Sequence, residues 1–427
     1  MRYTLAVLLG RVVSSISKVF HKGAGETWAG EIALRVYPNI LEALSHKLRK
    51  GIILVAGTNG KTTTSLMIKK IIEYQGHSVV HNATGANLLN GVVSSLLLST
   101  DKDWGIFEVD ENALSQVMTY MHPTIIVLLN LFRDQLDRYG EVDAVAAKWR
   151  KSLSALSQNA TVVANADDPL ITAICEQLDV KKVYIGIEDP SLYREKMQHA
   201  TDTIYCPKCG TRLTYGGFYY SHLGKWSCGS CGFTHPDVTI AAKDYQSPIE
   251  GVYNHYNTIA AATVGELLQF ETAQIQSALD SFTPAFGRME RILVREKNVQ
   301  IVLSKNPTGF NESLQTYLNS HDKGPVLLLL NDRIPDGTDV SWIWDVDFEL
   351  LSKQKREIIL SGDRVSDMAI RLKYAVTNLE RITIADSLPS SLDVALAKTQ
   401  RAETLWVLAT YSAMLDIRGI ITGKKIL

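Results

Sequence analysis

The sequence predicts an α/β chain of two or three domains organised around a phosphate-binding loop. Three observations carry that expectation. "VAGTNGKTTTS" (55–65) stands between a strand-like apolar run and a helix-like one. The chain has 427 residues, more than one hydrophobic core usually serves. Four of its five cysteines form two C-x-x-C pairs, Cys206/Cys209 and Cys228/Cys231, which mark a metal-held insertion.

The N-terminus is apolar. Leu5, Leu8, Leu9, Val12, Val13, Ile16 and Phe20 fall on one face of a helix, which is expected to pack on the protein. The alternative is an interfacial helix on the inner face of a membrane. Arg11 and Lys18 interrupt the run, and no signal-peptide cleavage pattern follows. The chain is expected to be cytoplasmic.

"GIILVAG" (51–57) reads as a buried strand, and "KTTTSLMIKKIIEYQG" (61–76) as a helix closed by Gly76. A glycine-bearing loop in that position brings backbone N–H groups and a helix N-terminus to bear on phosphate. Gly57, Thr58, Asn59, Gly60, Lys61, Thr62 and Thr63 are therefore expected to cradle a nucleotide. Lys61 supplies a mobile charge for the β- and γ-phosphates, and the Thr62 hydroxyl a magnesium ligand. The usual G-x-x-x-x-G-K-[ST] spelling is missed, because Val55 stands where the first Gly belongs.

Further strands are expected to end at "FEVDE" (107–111), at Asn130 and at "NADDP" (165–169). "GVYNHYNTIAAA" (251–262) opens a helix with Asn254 and Asn257 one turn apart, and "FGRME" (286–290) follows. C-x₂-C…C-x₂-C with eighteen residues between the pairs indicates a four-thiolate zinc ribbon of two short hairpins. Such a site has no open coordination position, so its zinc is structural rather than catalytic. Cys175, in an amphipathic helix, is expected to be buried and inert. Lys+Arg is 44 and Asp+Glu 45, and no basic–aromatic patch is present. That balance argues against a nucleic-acid partner.

The order of these motifs, from GTNGKT to FGRME, resembles the Mur ligase family of ATP-dependent amide-bond ligases, which includes folylpolyglutamate synthase. The resemblance implies a Mur ligase-type ATPase domain at 41–290 with a zinc-ribbon insertion at 202–236. A helical segment at 1–40 precedes it, and a Rossmann-like α/β C-terminal domain at 291–427 follows. It also implies ATP, Mg²⁺ and Zn²⁺. Glu108 takes the place of a magnesium ligand, and Lys148 that of a lysine many members carbamylate to hold a second Mg²⁺. An ordinary surface lysine is the other reading of Lys148. Asn254 and Asn257 match asparagines near the adenine, Arg288 an arginine that reaches the phosphates, and Asp167–Asp168 a nucleotide-side turn. One departure stands out: Asp134-Gln135 occupies the place of the family's Asp-His, which weakens the case for two metals.

The segment before the loop is short and does not read as the βαβ domain that holds a UDP-sugar. Together with the ribbon, "NDRIPDGTDVSWIWDVDFE" (331–349) and "SGDRVSDMAIRLKYA" (361–375), this narrows the resemblance to the Mur ligase-like subunits of lipid II isoglutaminyl synthases. The implied reaction is ATP-dependent amidation of the D-glutamate α-carboxyl in lipid II through an acyl phosphate. A glutamine amidotransferase of the GatD type would supply ammonia. Asp339, Asp345 and Asp347 are candidate catalytic carboxylates. Asp339 is foremost, as an acid able to orient a His on the partner, whereas Asp345 and Asp347 are placed nearer a strand. Two other readings stay open at this stage: a self-contained ligase adding an amino acid, and a zinc-ribbon ATPase that binds nucleic acid.

Overall fold

A computed structural model describes residues 2–19, 25–82, 86–99, 101–134, 141–194, 196–284, 286–320 and 322–423. Three helices lead in: α1 (Arg2–Val19), α2 (Gly25–Val36) and α3 (Ile40–Ser45). A parallel sheet follows, in the order β2-β3-β1-β4-β5-β6-β9. Its strands are β1 (Gly51–Ala56), β2 (Val79–His81), β3 (Trp104–Val109), β4 (Ile125–Leu128), β5 (Thr161–Asn165), β6 (Lys181–Gly186) and β9 (Ile240–Ala241).

Strand alternation divides the core between the two faces of this sheet. Ile52 and Leu54 of β1 turn toward the cluster of Ala6, Ala29, Leu41 and Trp149. Ile53 and Val55 turn toward Met67, Ile68, Ile71 and Ile72 of α4 (Lys61–Tyr74) and toward Ile259 and Ala260. A parallel sheet covered on both faces places its binding crevice at the carboxyl ends of the strands. β1 there runs into the glycine loop, with β3 and β4 as its neighbours.

The remaining helices around this sheet are α5 (Leu89–Leu98), α6 (Leu114–Tyr120), α7 (Val142–Leu153), α8 (Pro169–Glu176), α9 (Val252–Leu267) and α10 (Thr272–Asp280). Between β6 and β9 the chain forms an antiparallel hairpin, β7 (Thr214–Tyr220) with β8 (Leu223–Ser227).

The second sheet has the order β10-β11-β15-β12-β13-β14. β10 (Arg288–Val294) pairs antiparallel with β11 (Lys297–Leu303), and β12 (Val326–Leu329), β13 (Ile358–Ser361), β14 (Ile382–Ile384) and β15 (Thr404–Ala409) continue in parallel. Helices α11 (Pro307–Asn319), α12 (Val365–Ala375), α13 (Leu388–Lys398) and α14 (Tyr411–Thr422) accompany it. Asn306 caps α11 by accepting from Gly309 N at 2.8 Å.

Two expectations from the sequence are corrected here. The apolar face of α1 does not pack inward: Leu5, Leu8, Val12 and Ile16 are all exposed. The fully buried residues of α1 are small, Ala6, Gly10 and Ser14, with Tyr3 and Val7 packed partly buried beside them. A Cβ on Gly10 would lie 2.7 Å from Leu97 Cδ1 and 3.2 Å from Ala29 O, so close helix approach takes the place of large apolar side chains. Phe20 lies outside the described residues. Asp345 and Asp347 do not sit near a strand either, because the segment forms short 3-10 turns at Ser341–Asp345 and Phe348–Lys353.

Candidate functional site

The loop between β1 and α4 is drawn tight by its own residues. Gly60 adopts φ +90°, and a Cβ there would stand 2.2 Å from Asn257 Oδ1. Only glycine admits both the backbone turn and the side chain of α9. Asn130, just past β4, accepts from Asn59 N at 2.9 Å and donates to Asn59 O at 3.1 Å. Thr58 Oγ1 donates to Phe132 O at 3.1 Å. Lys61 folds back onto the loop: Nζ donates to Gly57 O at 2.5 Å, to Thr58 O at 3.0 Å and to Glu111 Oε2 at 3.1 Å. To reach a phosphate it must leave these partners.

Glu108 and Thr62 meet directly, the hydroxyl donating to Glu108 Oε2. Arg288 Nη2 donates to Thr62 Oγ1 at 2.9 Å across 226 residues of sequence. A carboxylate and a hydroxyl already in contact beside a glycine loop are the oxygen donors Mg²⁺ prefers, so these two residues fit a magnesium site. Thr63, Asn254, Asn257 and Arg288 share one cleft with Asn59 and Gly60, closed on its far side by Thr308, Gly309 and Glu312 of α11. Asn257 Nδ2 donates to Asn254 Oδ1 at 3.0 Å, which fixes the two amides relative to each other. Lys148 is exposed on α7, and its Nζ donates to Asn112 Oδ1 at 3.3 Å. Gln135 lies outside the described residues.

Several residues that the sequence reading passed over complete the arrangement. Burial alone would raise the Glu111 carboxyl, but the Lys61 and Lys305 charges outweigh it and hold Glu111 below the usual range. Asp110 beside it is raised, first by burial and then by the Glu111 charge. Lys305 Nζ donates to Asp134 Oδ2 at 2.6 Å. Asn306 Nδ2 donates to Asn59 Oδ1 at 3.0 Å, which joins the second sheet's first helix to the phosphate loop. The second glutamate in "FEVDE" was the available signal for Glu111; for Lys305 and Asn306 no local pattern gives one.

A second cleft lies alongside. Arg133, Asp134, Lys305, Asp336, Asp339 and Asp345 line it. Asp345 Oδ2 pairs with Arg133 Nη1 at 3.2 Å. Asp339 is exposed and accepts from Ser341, at N (2.8 Å) and Oγ (2.9 Å). Asp347 does not line this cleft; it pairs with His199 Nδ1 at 2.9 Å, and burial raises its carboxyl. Asp336 is buried, accepts from Ser412 N at 2.8 Å and is likewise raised by burial.

The cysteine site is built from the same turn made twice. Cys206 N donates to Thr211 O and Gly210 N to Cys206 O; Cys228 N donates to Phe233 O and Gly232 N to Cys228 O. All four sulfurs lie within 4.8 Å of one another, with Cys206–Cys231 at 3.6 Å and Cys209–Cys228 at 3.5 Å. A tetrahedral ion with bonds of about 2.3 Å needs S–S separations of about 3.8 Å, so the donor set fits a four-thiolate metal. Each turn is closed by an antiparallel bridge, Tyr205 with Arg212 and Ser227 with Thr234, and the β7–β8 hairpin joins the two.

Asp167 and Asp168 are corrected from a nucleotide-side turn to structural carboxylates. Asp167 accepts from Tyr256 OH at 2.6 Å and Ile187 N at 3.1 Å, and its Oδ1 lies 2.7 Å from His235 Nε2. Asp168 caps α8 through Leu170 N and Ile171 N. The first of these ties the cysteine insertion to α9, the helix that carries Asn254 and Asn257. Cys175 is buried, and burial pushes its thiol up to about 12.

Fold and site define a nucleotide-dependent ligase of the Mur type. Residues 55–265 match the Mur ligase middle domain, and residues 303–414 match the MurT ligase C-terminal family. The fold is shared with a pseudomurein peptide ligase type C from Methanothermus fervidus (TM-score 0.70, 22% identity, 90% of this chain and 80% of that one). It is also shared with the MurF ligase from Thermotoga maritima in complex with ADP (TM-score 0.64, 13% identity, 91% and 83%). At higher identity, the "Lipid II isoglutaminyl synthase (glutamine-hydrolyzing) subunit MurT" of Streptococcus pneumoniae is 31% identical over 100% of this chain and 98% of its own. The Staphylococcus aureus protein of the same description is 32% identical over 90% and 91%. The chain belongs to the MurT family of Mur ligases.

Proposed function

We propose that this chain is the ATP-dependent synthetase subunit of a lipid II isoglutaminyl synthase, a carbon–nitrogen ligase of peptidoglycan synthesis. It converts the α-carboxyl of D-glutamate in the lipid II stem peptide to the amide, giving D-isoglutamine. What carries this reading is similarity along the whole length of the chain to proteins so described, together with two adjoining clefts of opposite use. A glutamine amidotransferase, GatD, supplies the ammonia, since the described residues contain no cysteine suited to glutaminase chemistry: four converge on one metal set and Cys175 is buried.

The nucleotide occupies the first cleft, with the phosphates on Gly57–Thr63 and the adenine toward Asn254 and Asn257. Thr62 and Glu108 would hold Mg²⁺, which would supply charge neutralisation at the phosphoryl oxygens. Lys61 and Arg288 serve the same end once Lys61 turns away from Glu111. The acidic substrate enters the second cleft, where Arg133 must leave Asp345 to meet its carboxylate, since Lys305 is held by Asp134. A carboxylate oxygen attacks the γ-phosphorus, and the bond to ADP breaks. Ammonia then attacks the acyl carbon and gives up a proton as phosphate leaves. An acyl phosphate hydrolyses in water, so the Asn59–Asn306 and Asp134–Lys305 contacts between the two sheets' units are assigned to keeping the site closed. Lys148 carbamylation belongs to this reading as a means of holding a second metal. The four thiolates hold zinc, which folds the insertion. Asp339 is the carboxylate offered to the partner's nucleophile–His pair.

Hydroxylamine tests the acyl phosphate. With ATP and a muropeptide ending in D-glutamate, it replaces ammonia and yields a hydroxamate without any glutaminase. ADP release without hydroxamate would refute the intermediate.

A further inference from the structure

The outward face of α1 has no partner among the described residues. Leu5 is 48% exposed, Leu8 60%, Val12 45% and Ile16 51%. At helical spacing these four fall within a sector of about 80°. They point away from Ala6, Gly10 and Ser14, which pack α1 onto the protein. Arg11 Nε ties α1 to α5 by donating to Leu97 O at 3.0 Å, and Gly30 N of α2 donates to Ser94 Oγ of α5 at 2.8 Å. The helix thus presents four large apolar side chains outward, while Ala6, Gly10 and Ser14, with Tyr3 and Val7 at the edge, face the protein. On α2, which packs along α1, Trp28 is 62% exposed.

Charge identifies the occupant. The first 24 residues contain Arg2, Arg11, Lys18 and Lys22 and no Asp or Glu, whereas the chain as a whole has a net charge of -1. Arg2 and Arg11 are exposed beside the stripe. An apolar stripe flanked by cations with no acidic residue suits an anionic bilayer surface, where leucine and isoleucine sink into the acyl boundary and arginine meets the phosphates. A second copy of the same helix would bring like charges together. No described helix is long and apolar enough to cross a membrane, so the contact is peripheral.

We infer that α1 docks the protein flat on an anionic membrane surface through Leu5, Leu8, Val12 and Ile16. This rests on the proposed function only for its purpose: it would hold the two clefts next to a lipid-linked substrate. The test uses the full chain and vesicles of phosphatidylglycerol and phosphatidylcholine without lipid II, so its outcome is independent of the amidation reading. Wild type is expected to co-sediment with these vesicles, less with pure phosphatidylcholine and less in high salt. Leu8→Glu with Val12→Glu is expected to weaken vesicle binding by roughly tenfold or more, the loss expected when two buried apolar side chains become charged. Both side chains already face solvent, so thermal melting and ADP binding should match wild type. Hydroxamate formation on a soluble muropeptide should also be unchanged; if that fails in wild type, the amidation reading falls and the membrane inference does not. Absence of vesicle binding, or equal binding by the double variant, overturns the inference. Self-association that the double variant abolishes, without vesicle binding, assigns the face to a second copy and overturns it as well.

Discussion

Acidification should destabilise the nucleotide-binding unit through His81. This side chain ends β2, with Nε2 2.9 Å from Ser65 Oγ. Ser65 Oγ donates to Thr62 O at 3.1 Å, so its one hydrogen is used and His81 must donate from Nε2. Among the described residues Nδ1 is buried without a hydrogen-bond partner, and a proton there would be a buried donor with no acceptor among them. Burial, and then the Lys69 charge, push His81 from its ordinary 6.5 down to about 4. The unfolded chain therefore binds more protons between those values, and stability is lost as pH falls through that window. With 6.5 for the unfolded and about 4 for the folded chain, proton linkage gives a loss of about 2 kcal/mol at pH 5 and about 0.2 kcal/mol at pH 7. The perturbation is His81→Gln, which keeps an N–H for Ser65 but does not titrate. Urea unfolding followed by tryptophan fluorescence at the two pH values is the assay. The stability difference between wild type and variant should shift by about 1.8 kcal/mol in the variant's favour on going from pH 7 to pH 5. Parallel pH profiles for the two proteins would refute the tautomer and burial argument.

Other predictions follow from the same site. Lys61→Ala and Glu108→Ala should each lower ATP-dependent turnover by roughly 100-fold or more with unchanged circular dichroism; near-normal rates would remove the nucleotide assignment. One zinc per chain should be found by elemental analysis, and Cys206→Ser should lower the melting temperature more than it alters the kcat of surviving protein. Protein purified without metal but fully stable would contradict this. Asp339→Asn should strongly lower amidation with glutamine while free ammonium restores it; failure with both donors would move Asp339 to the ligase site, and full activity with glutamine would leave it a surface carboxylate.

The parts of the site that were legible in the sequence are those made by neighbours in the chain. Gly57 to Thr63 are contiguous, and a strand before them and a helix after them leave few other geometries. The cysteine pairs are likewise read from spacing. Lys305 and Asn306 were not readable, because each acquires its meaning from a partner far along the chain, Asp134 and Asn59. Asp167 was misjudged for the same reason, since His235 and Tyr256 absorb a carboxylate that would otherwise face a ligand. For α1 the periodicity correctly marked an apolar face but could not say where it looked. Ala6, Gly10 and Ser14 decide that, and small residues carry almost no hydrophobic signal.

The central claim, ATP-dependent amidation of a lipid-linked glutamate, is tested most directly by mass spectrometry of the product. Lipid II, ATP, Mg²⁺ and glutamine are incubated with this chain and a GatD glutaminase subunit, and the stem peptide is then sequenced by fragmentation. The account predicts replacement of one hydroxyl by an amino group at the D-glutamate α-carboxyl, dependent on ATP and on Lys61, with ammonium able to replace glutamine and its partner. Lipid II recovered unchanged, or extended by an amino acid with no glutaminase present, would contradict it.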